Sequence, residues 1–171
     1  SGFQLLAVLT GDSSAASLCN VTDTGEREDA YTLVYEAMLS KIGDTSKIDR
    51  DDVKAAVMTS LYGSEAIPKE VFGKGPLLSA FYETMQEVAP AAWELNTAFL
   101  EIWDTEAGSD DWVLPDNFHV KIKVMDTIVE KVHFMNQPFD VYRKVNQPME
   151  KGRSLGANVI HSLDAMIVRE M

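Results

Sequence analysis

The sequence predicts a mainly α-helical chain with a small antiparallel β element, an α+β fold. Apolar residues recur at helical spacing through 31–39, 50–63 and 76–104, whereas after Pro115 they alternate with polar ones. The chain has 171 residues, 46% hydrophobic and 25% charged, which is enough for one globular domain with a real core.

Residues 3–10 are mostly apolar and run into the turn-like "GDSSAAS". In "GEREDAYTLVYEAMLSKIG", Tyr31, Val34, Tyr35, Met38 and Leu39 follow a helical period that Gly43 closes. Asp49 has the place of an N-cap for "RDDVKAAVMTSLYG", with Asp51 and Asp52 in the first turn, where acids suit the helix dipole. Gly63 ends that helix. The longest periodic run, 76–104, contains Pro90, which lacks an N–H and crowds the preceding turn, so the run should kink or break there. "EAGSDD" reads as a loop. "FHVKIKV", "TIVEKVHFM" and "FDVYRKV" read as two or three antiparallel strands, "NQPMEKGRSLG" as loop, and 154–170 as helix again.

The net charge of −12 argues against a broad basic surface for a wrapped duplex. The charge is uneven, however. Residues 121–153 hold seven of the fifteen Lys and Arg against four acids, so this segment is +3 and the remainder −15. A local contact to a phosphate backbone, through Lys144, Lys151 and Arg153, therefore survives that objection and stands beside the plainer reading of a solvated basic face. A single cysteine, Cys19, excludes an internal disulfide and any cysteine-based metal spacing. No apolar run reaches the length of a membrane span, so no membrane partner is expected. Both ends read as cut. The chain opens on "SGFQLLAVLT" as if in mid-element, and "SLDAMIVREM" carries no helix-stop signal, so a fragment or split chain is expected.

On a helix, residues four apart lie about 6 Å from one another along the axis, so Arg50, Lys54, Met58 and Tyr62 form one slowly drifting stripe roughly 18 Å long. Spacing alone leaves two readings open. The ordinary one is a surface helix, with Lys54 paired to Asp51 at i,i+3 and Tyr62 in the core. The other is a polyanion grip, since arginine offers a fork, lysine a mobile point charge and tyrosine a face for a base or sugar.

Other segments weigh on that choice. "RDDVKAAVMTSLYG", with Arg50, Lys54, Val57-Met58-Thr59 and Tyr62-Gly63, resembles motif B of the phage-type and mitochondrial single-subunit DNA-dependent RNA polymerases. "SGFQLLAVL" resembles the run after the first catalytic aspartate of motif A in that family. "EDAYTLVYEAM" resembles the following helix, with Asp29 and Tyr31 as an Asp-x-Tyr pair. "SLGANVIHSLDAMIVREM" resembles the segment with a His-Ser-x-Asp signature, here His161 to Asp164. The matches fall in family order and touch both ends of the chain. Polymerase I type DNA polymerases share the Arg-x3-Lys-x7-Tyr-Gly frame, but carry an aromatic where this chain has Met58 and lack the His-Ser-x-Asp signature.

The resemblance implies fingers and part of the palm of a right-hand polymerase. It divides the chain into a palm-derived segment, 1–45, fingers helices, 46–115, a β hairpin and loop region, 116–153, and a palm-proximal helix, 154–171. Arg50 and Lys54 would grip the phosphates of an incoming NTP, with Lys54 the proton donor to pyrophosphate. Met58, Tyr62 and Gly63 would line the nucleotide pocket, Tyr62 and His161 sensing the ribose 2′-OH. Without the resemblance, His161 reads as structural.

The family's two Mg²⁺-binding aspartates match no position here, and Asp12, Asp23, Asp110, Asp111 and Asp164 fit neither motif. The resemblance thus implies Mg²⁺ held by aspartates outside this chain, with no metal ligand in it and a chain inactive by itself. Implied partners are NTP, DNA template, RNA product and the remainder of the polymerase. The implied location is the cytoplasm of a phage-infected cell, or alternatively a mitochondrion. The rival readings are a DNA polymerase of the polymerase I type and a non-catalytic, polymerase-derived interaction module.

Overall fold

The computed structural model describes residues 2–43, 48–152 and 154–171. Arg153, expected to contact nucleic acid, and the expected boundary at 45/46 lie outside the described residues. The chain divides into two compact units, Ser1–Ile102 with Arg153–Met171, and Trp103–Gly152.

The first unit is helical: α1 (Gly2–Thr10), α2 (Ser13–Leu18), α3 (Ala30–Ile42), α4 (Arg50–Ser60), α5 (Ala66–Phe72), α6 (Pro76–Val88), α7 (Pro90–Glu101) and α8 (Ser154–Glu170). Helix α3 packs on α4 and α6, α1 on α7, and α8 on α7 and α1. Leu6, Val34, Met38, Val53, Val57, Phe81, Met85 and Ile160 are completely buried between them. Local chemistry sets the ends. Pro90 splits the long periodic run, standing first in α7 where its missing N–H costs nothing. Asp49 and Asp52 form a reciprocal capping box on α4. Gly43 closes α3 at a φ of 79°.

"GDSSAAS" is corrected from turn to helix. Asp12 caps α2 by accepting from Ala15 N at 3.0 Å, and its other oxygen accepts from Ala91 N and Ala92 N at 3.0 and 3.2 Å. One buried carboxylate therefore satisfies the starts of two helices, α2 and α7. Helix α5 was also not foreseen.

The second unit contains two antiparallel hairpins. Strand β1 (Ser109–Val113) pairs with β2 (His119–Lys123), and β3 (Met125–Phe134) with β4 (Gln137–Asn146). "EAGSDD" is thus not all loop, since β1 starts at its fourth residue. The β3–β4 turn is Met135-Asn136, both at positive φ (50° and 60°), the geometry that matches strand twist in a two-residue hairpin. At the base of this unit Trp103 Nε1 donates to Met149 O at 3.0 Å. Gly152 lies against the same indole so closely that an added Cβ would come within 2.1 Å of it.

Candidate functional site

Helix α4 divides cleanly. Val53, Ala56, Val57 and Ser60 are buried, whereas Lys54 and Met58 are exposed and Arg50 and Tyr62 half-buried. The structure therefore places all four stripe residues along the outward side, with Tyr62 anchored on the core's edge. The i,i+3 pair expected in the ordinary reading does not form. Among the described residues Lys54 makes no ion pair, and Asp51 instead approaches Arg50 Nη1 at 3.8 Å.

Tyr62 is positioned by the way α4 ends. Ser64 N donates to Thr59 O at 3.1 Å and Gly63 N to Ser60 O at 2.9 Å, the paired bonds of a Schellman cap, with Gly63 at a φ of 80°. Only glycine takes that conformation without strain, so Gly63 fixes the direction in which Tyr62 leaves the helix. The phenol stacks on the His161 imidazole of α8, with centroids 5.3 Å apart and planes inclined by 23°. The same ring meets Gly2, where a Cβ would lie 3.0 Å from it, so the absence of a side chain there accommodates the tyrosine. Helix α8 comes close enough because Gly156 faces Phe99, 3.2 Å from where a Cβ would be. Three segments far apart in sequence thus meet at one aromatic ring. A concavity of about 600 Å³ opens beside it, lined by Tyr62, Gly63, Ser64, Glu65, Ala66, Lys69, Ser154 and Ala157.

At the other end of the stripe, Arg50 is held. Its Nη2 donates to Asp29 Oδ2 at 2.6 Å, its Nε donates to Thr32 Oγ1 at 2.8 Å, and its guanidinium carbon lies 5.8 Å from the centre of the Tyr31 ring. Partial desolvation pushes the Asp29 carboxyl up. The Arg50 hydrogen bond, the backbone and hydroxyl bonds from Thr32 and the Arg50 charge together outweigh it and hold the group at about 2. A second concavity, of about 490 Å³, lies here against Gln4, Asn20, Arg27, Asp29, Tyr31 and Arg50. The two cations of the stripe therefore differ. Lys54 is a free point charge, and Arg50 is a fixed fork.

The sequence reading matched Asp29 to an Asp-x-Tyr pair but gave it no role, and it missed Gly2 and Thr32 here. A cap signal was present, since "DAYT" precedes an apolar-periodic run. The bond from Asp29 to Arg50, 21 residues on, has no local signature.

The basic residues expected to touch nucleic acid belong to the second unit. Lys144 stands exposed on β4 opposite Thr127, and Lys151 is exposed in the segment after β4. Cross-strand register puts Lys144, Tyr142, Lys131, His133 and Val129 on one face of the β3–β4 ribbon. The other face carries Ile128, Val132, Phe134, Phe139 and Val141, with Arg143 Nη2 donating to Glu130 Oε1 at 2.9 Å.

Comparison with known families bears on the first part of the chain. Residues 1–72 match the family model of DNA-dependent RNA polymerase. The N-terminal 72 residues are thus an RNA polymerase family segment, and helices with small antiparallel sheets accord with that family in general. The match takes in Gly2, Asp29, Arg50, Lys54, Met58, Tyr62 and Gly63 and ends with α5. His161, Lys144 and Lys151 lie beyond it. No curated protein matches the chain.

The family implies Mg²⁺. Among the described residues no group of three or more His, Cys, Asp or Glu side chains comes together to hold a metal ion.

Proposed function

We propose that this chain is the nucleotide-holding part of a phage-type, template-directed DNA-dependent RNA polymerase, and that it grips an incoming NTP for transfer to an RNA 3′-OH. The observation that carries the reading is the outward stripe of α4, which runs from a fixed arginine past a free lysine to a tyrosine stacked on histidine. A triphosphate suits the cationic end and a nucleoside the aromatic end. Phosphoryl transfer depends mainly on positioning and charge neutralisation, which these side chains supply. Lys54 carries protons it can give to departing pyrophosphate. Tyr62 and His161 offer a polar aromatic edge to the sugar. Lys144 and Lys151 would meet phosphates of template or hybrid. The parent enzyme's Mg²⁺ belongs to aspartates of the remaining polymerase, as a second polypeptide or further sequence, and the site of action is the cytoplasm of an infected cell.

Binding of ATP and adenosine by the 171-residue chain, measured by calorimetry, tests this. Wild type should bind ATP more tightly than adenosine. Lys54→Gln should lower ATP affinity by about 10- to 100-fold, the worth of hydrogen bonds to a charged group, and leave adenosine unchanged. Equal affinity of wild type for the two ligands would sink the reading. Preference for dATP over ATP, unchanged in Tyr62→Phe, would move it to a DNA polymerase. The chain alone should not extend a primed template with Mg²⁺, and measurable extension would overturn the division of labour with a second part.

A further inference from the structure

Arg50 is held from one place, the first turn of α3. Asp29 is the N-cap of that helix, and its Oδ1 accepts from Tyr31 N at 3.1 Å and Thr32 N at 3.2 Å. Its Oδ2 accepts from Thr32 Oγ1 at 2.9 Å and from Arg50 Nη2 at 2.6 Å. Thr32 Oγ1 in turn accepts from Arg50 Nε at 2.8 Å. Two acceptors on two guanidinium nitrogens fix the plane as well as the position of the group.

The anchor is itself held. Asn20 closes the 21–28 loop, its Nδ2 donating to Glu28 O and its Oδ1 accepting from Glu28 N, both at 2.9 Å. The backbone is therefore set one residue before Asp29. With four donors around its carboxylate and its backbone pinned, Asp29 is poorly placed to follow a departing arginine or to take another partner.

A guanidinium has five N–H groups, and these bonds use two of them. The arginine side chain is still 40% exposed, and Asp51 at 3.8 Å from Nη1 is too far for a hydrogen bond. The donors left over can meet a phosphate while the group stays where it is.

We propose that Asp29 is a positioning residue that holds the Arg50 guanidinium ready for the substrate's phosphates, an inference that rests on the nucleotide-holding reading above. Pairing with Asp29 cancels most of the net charge of Arg50, so the arginine serves as a directed donor and Lys54 as the charge. If Asp29 instead competed with phosphate for Arg50, its removal would tighten binding. Positioning and competition give opposite signs.

The test uses the full chain with ATP and adenosine as probes. Asp29→Asn keeps a good N-cap residue and removes the charged anchor. Immobilising a long side chain afresh on binding costs enough to weaken ATP by roughly three- to tenfold. Adenosine affinity should stay unchanged, and Asp29→Asn with Arg50→Gln should bind ATP no more weakly than Arg50→Gln alone. Thr32→Val leaves the carboxylate in place and should weaken ATP in the same direction by a smaller factor. In ¹⁵N spectra, the Arg50 Nε–H resonance should be protected from exchange in ligand-free wild type and lose that protection in Asp29→Asn. Unchanged or tighter ATP binding by Asp29→Asn, with Arg50→Gln still weakened, would overturn the proposal and leave the nucleotide reading standing. ATP binding indifferent to Arg50→Gln would overturn both.

Discussion

In the helical unit Phe81, Val57 and Ile160 have no exposed surface, whereas in the β unit every residue from Val129 to Lys144 is exposed. Burial holds the first together, so Arg50, Lys54 and Met58, proposed above to meet the nucleotide, occupy the stripe of α4 that the core does not use. The β3–β4 ribbon is held by its ladder and its turn, and both its faces are open. A substitution in the helical unit therefore tests packing first. One on the ribbon surface tests what the ribbon meets.

The largest effect should come from Phe81→Ala. Phe81 lies 5.1 Å from Phe72 and 6.4 Å from Trp93, ring centre to ring centre, in the middle of the core. Losing it should cost about 3–5 kcal/mol in urea unfolding. Phe134→Ala, at a residue 66% exposed near the ribbon tip, should cost within about 0.5 kcal/mol. Similar losses at the two positions would break the comparison, since the ribbon would then carry hidden packing.

Glycines give the next contrast. Gly63→Ala forces a Cβ into left-handed backbone and should cost about 1–2 kcal/mol, with ATP binding falling further because Tyr62 is re-aimed. Gly152→Ala drives a Cβ into the Trp103 indole and should cost about 1–3 kcal/mol by overpacking. Its signature would be a shifted tryptophan emission with ATP affinity unchanged. Loss of ATP affinity in Gly152→Ala would show that the two units are functionally coupled.

How far the sequence could be read follows the same division. Helices α3, α4 and α8 were legible because one side of each is buried, α3 and α4 also because their ends carry capping residues, and Pro90 marked the break between α6 and α7. Alternation marked β2, β3 and β4. Helix α2 was hidden because six residues of serine, alanine and leucine have little periodicity, and its cap Asp12 stood inside an apparent turn. Strand β1 was hidden because "SDDWV" opens on a serine and two acids, residues that mark loops elsewhere. In the site, the stripe on α4 was a matter of one helix's spacing. The tie of Arg50 to Asp29 and the meeting of Gly2, Tyr62 and His161 join distant segments, which no local pattern encodes.

Asp29 makes the electrostatic comparison quantitative. Its folded value of about 2 lies below that of an ordinary carboxyl, so the stability it contributes is present above the unfolded pKa and is lost as pH falls toward 2. The carboxylate is 46% exposed, so solvent screening reduces the contribution to about 1 kcal/mol. Asp29→Asn should be less stable than wild type by that amount at pH 7, and the difference should close between pH 4 and 2. A gap that persisted at pH 2 would assign the loss to the helix cap instead of the ion pair.

Asp110 should behave in the opposite sense, with a smaller effect than Asp29. Burial raises its pKa, and the nearby charges of Asp104 and Asp111 raise it further. Its Oδ2 is buried without a hydrogen-bond partner among the described residues. An acid whose folded pKa is raised binds its proton more tightly in the folded chain. Stability is therefore full below the unfolded pKa and falls as pH rises through the folded one. Asp110→Asn removes the charge at nearly constant shape and should stabilise the chain at pH 7 by less than about 1 kcal/mol, because part of the residue still meets solvent. The gain should vanish below about pH 4 and shrink in high salt, which screens the two neighbouring aspartates. A gain independent of both pH and salt would mean that the buried oxygen, not its charge, is what the β unit tolerates poorly.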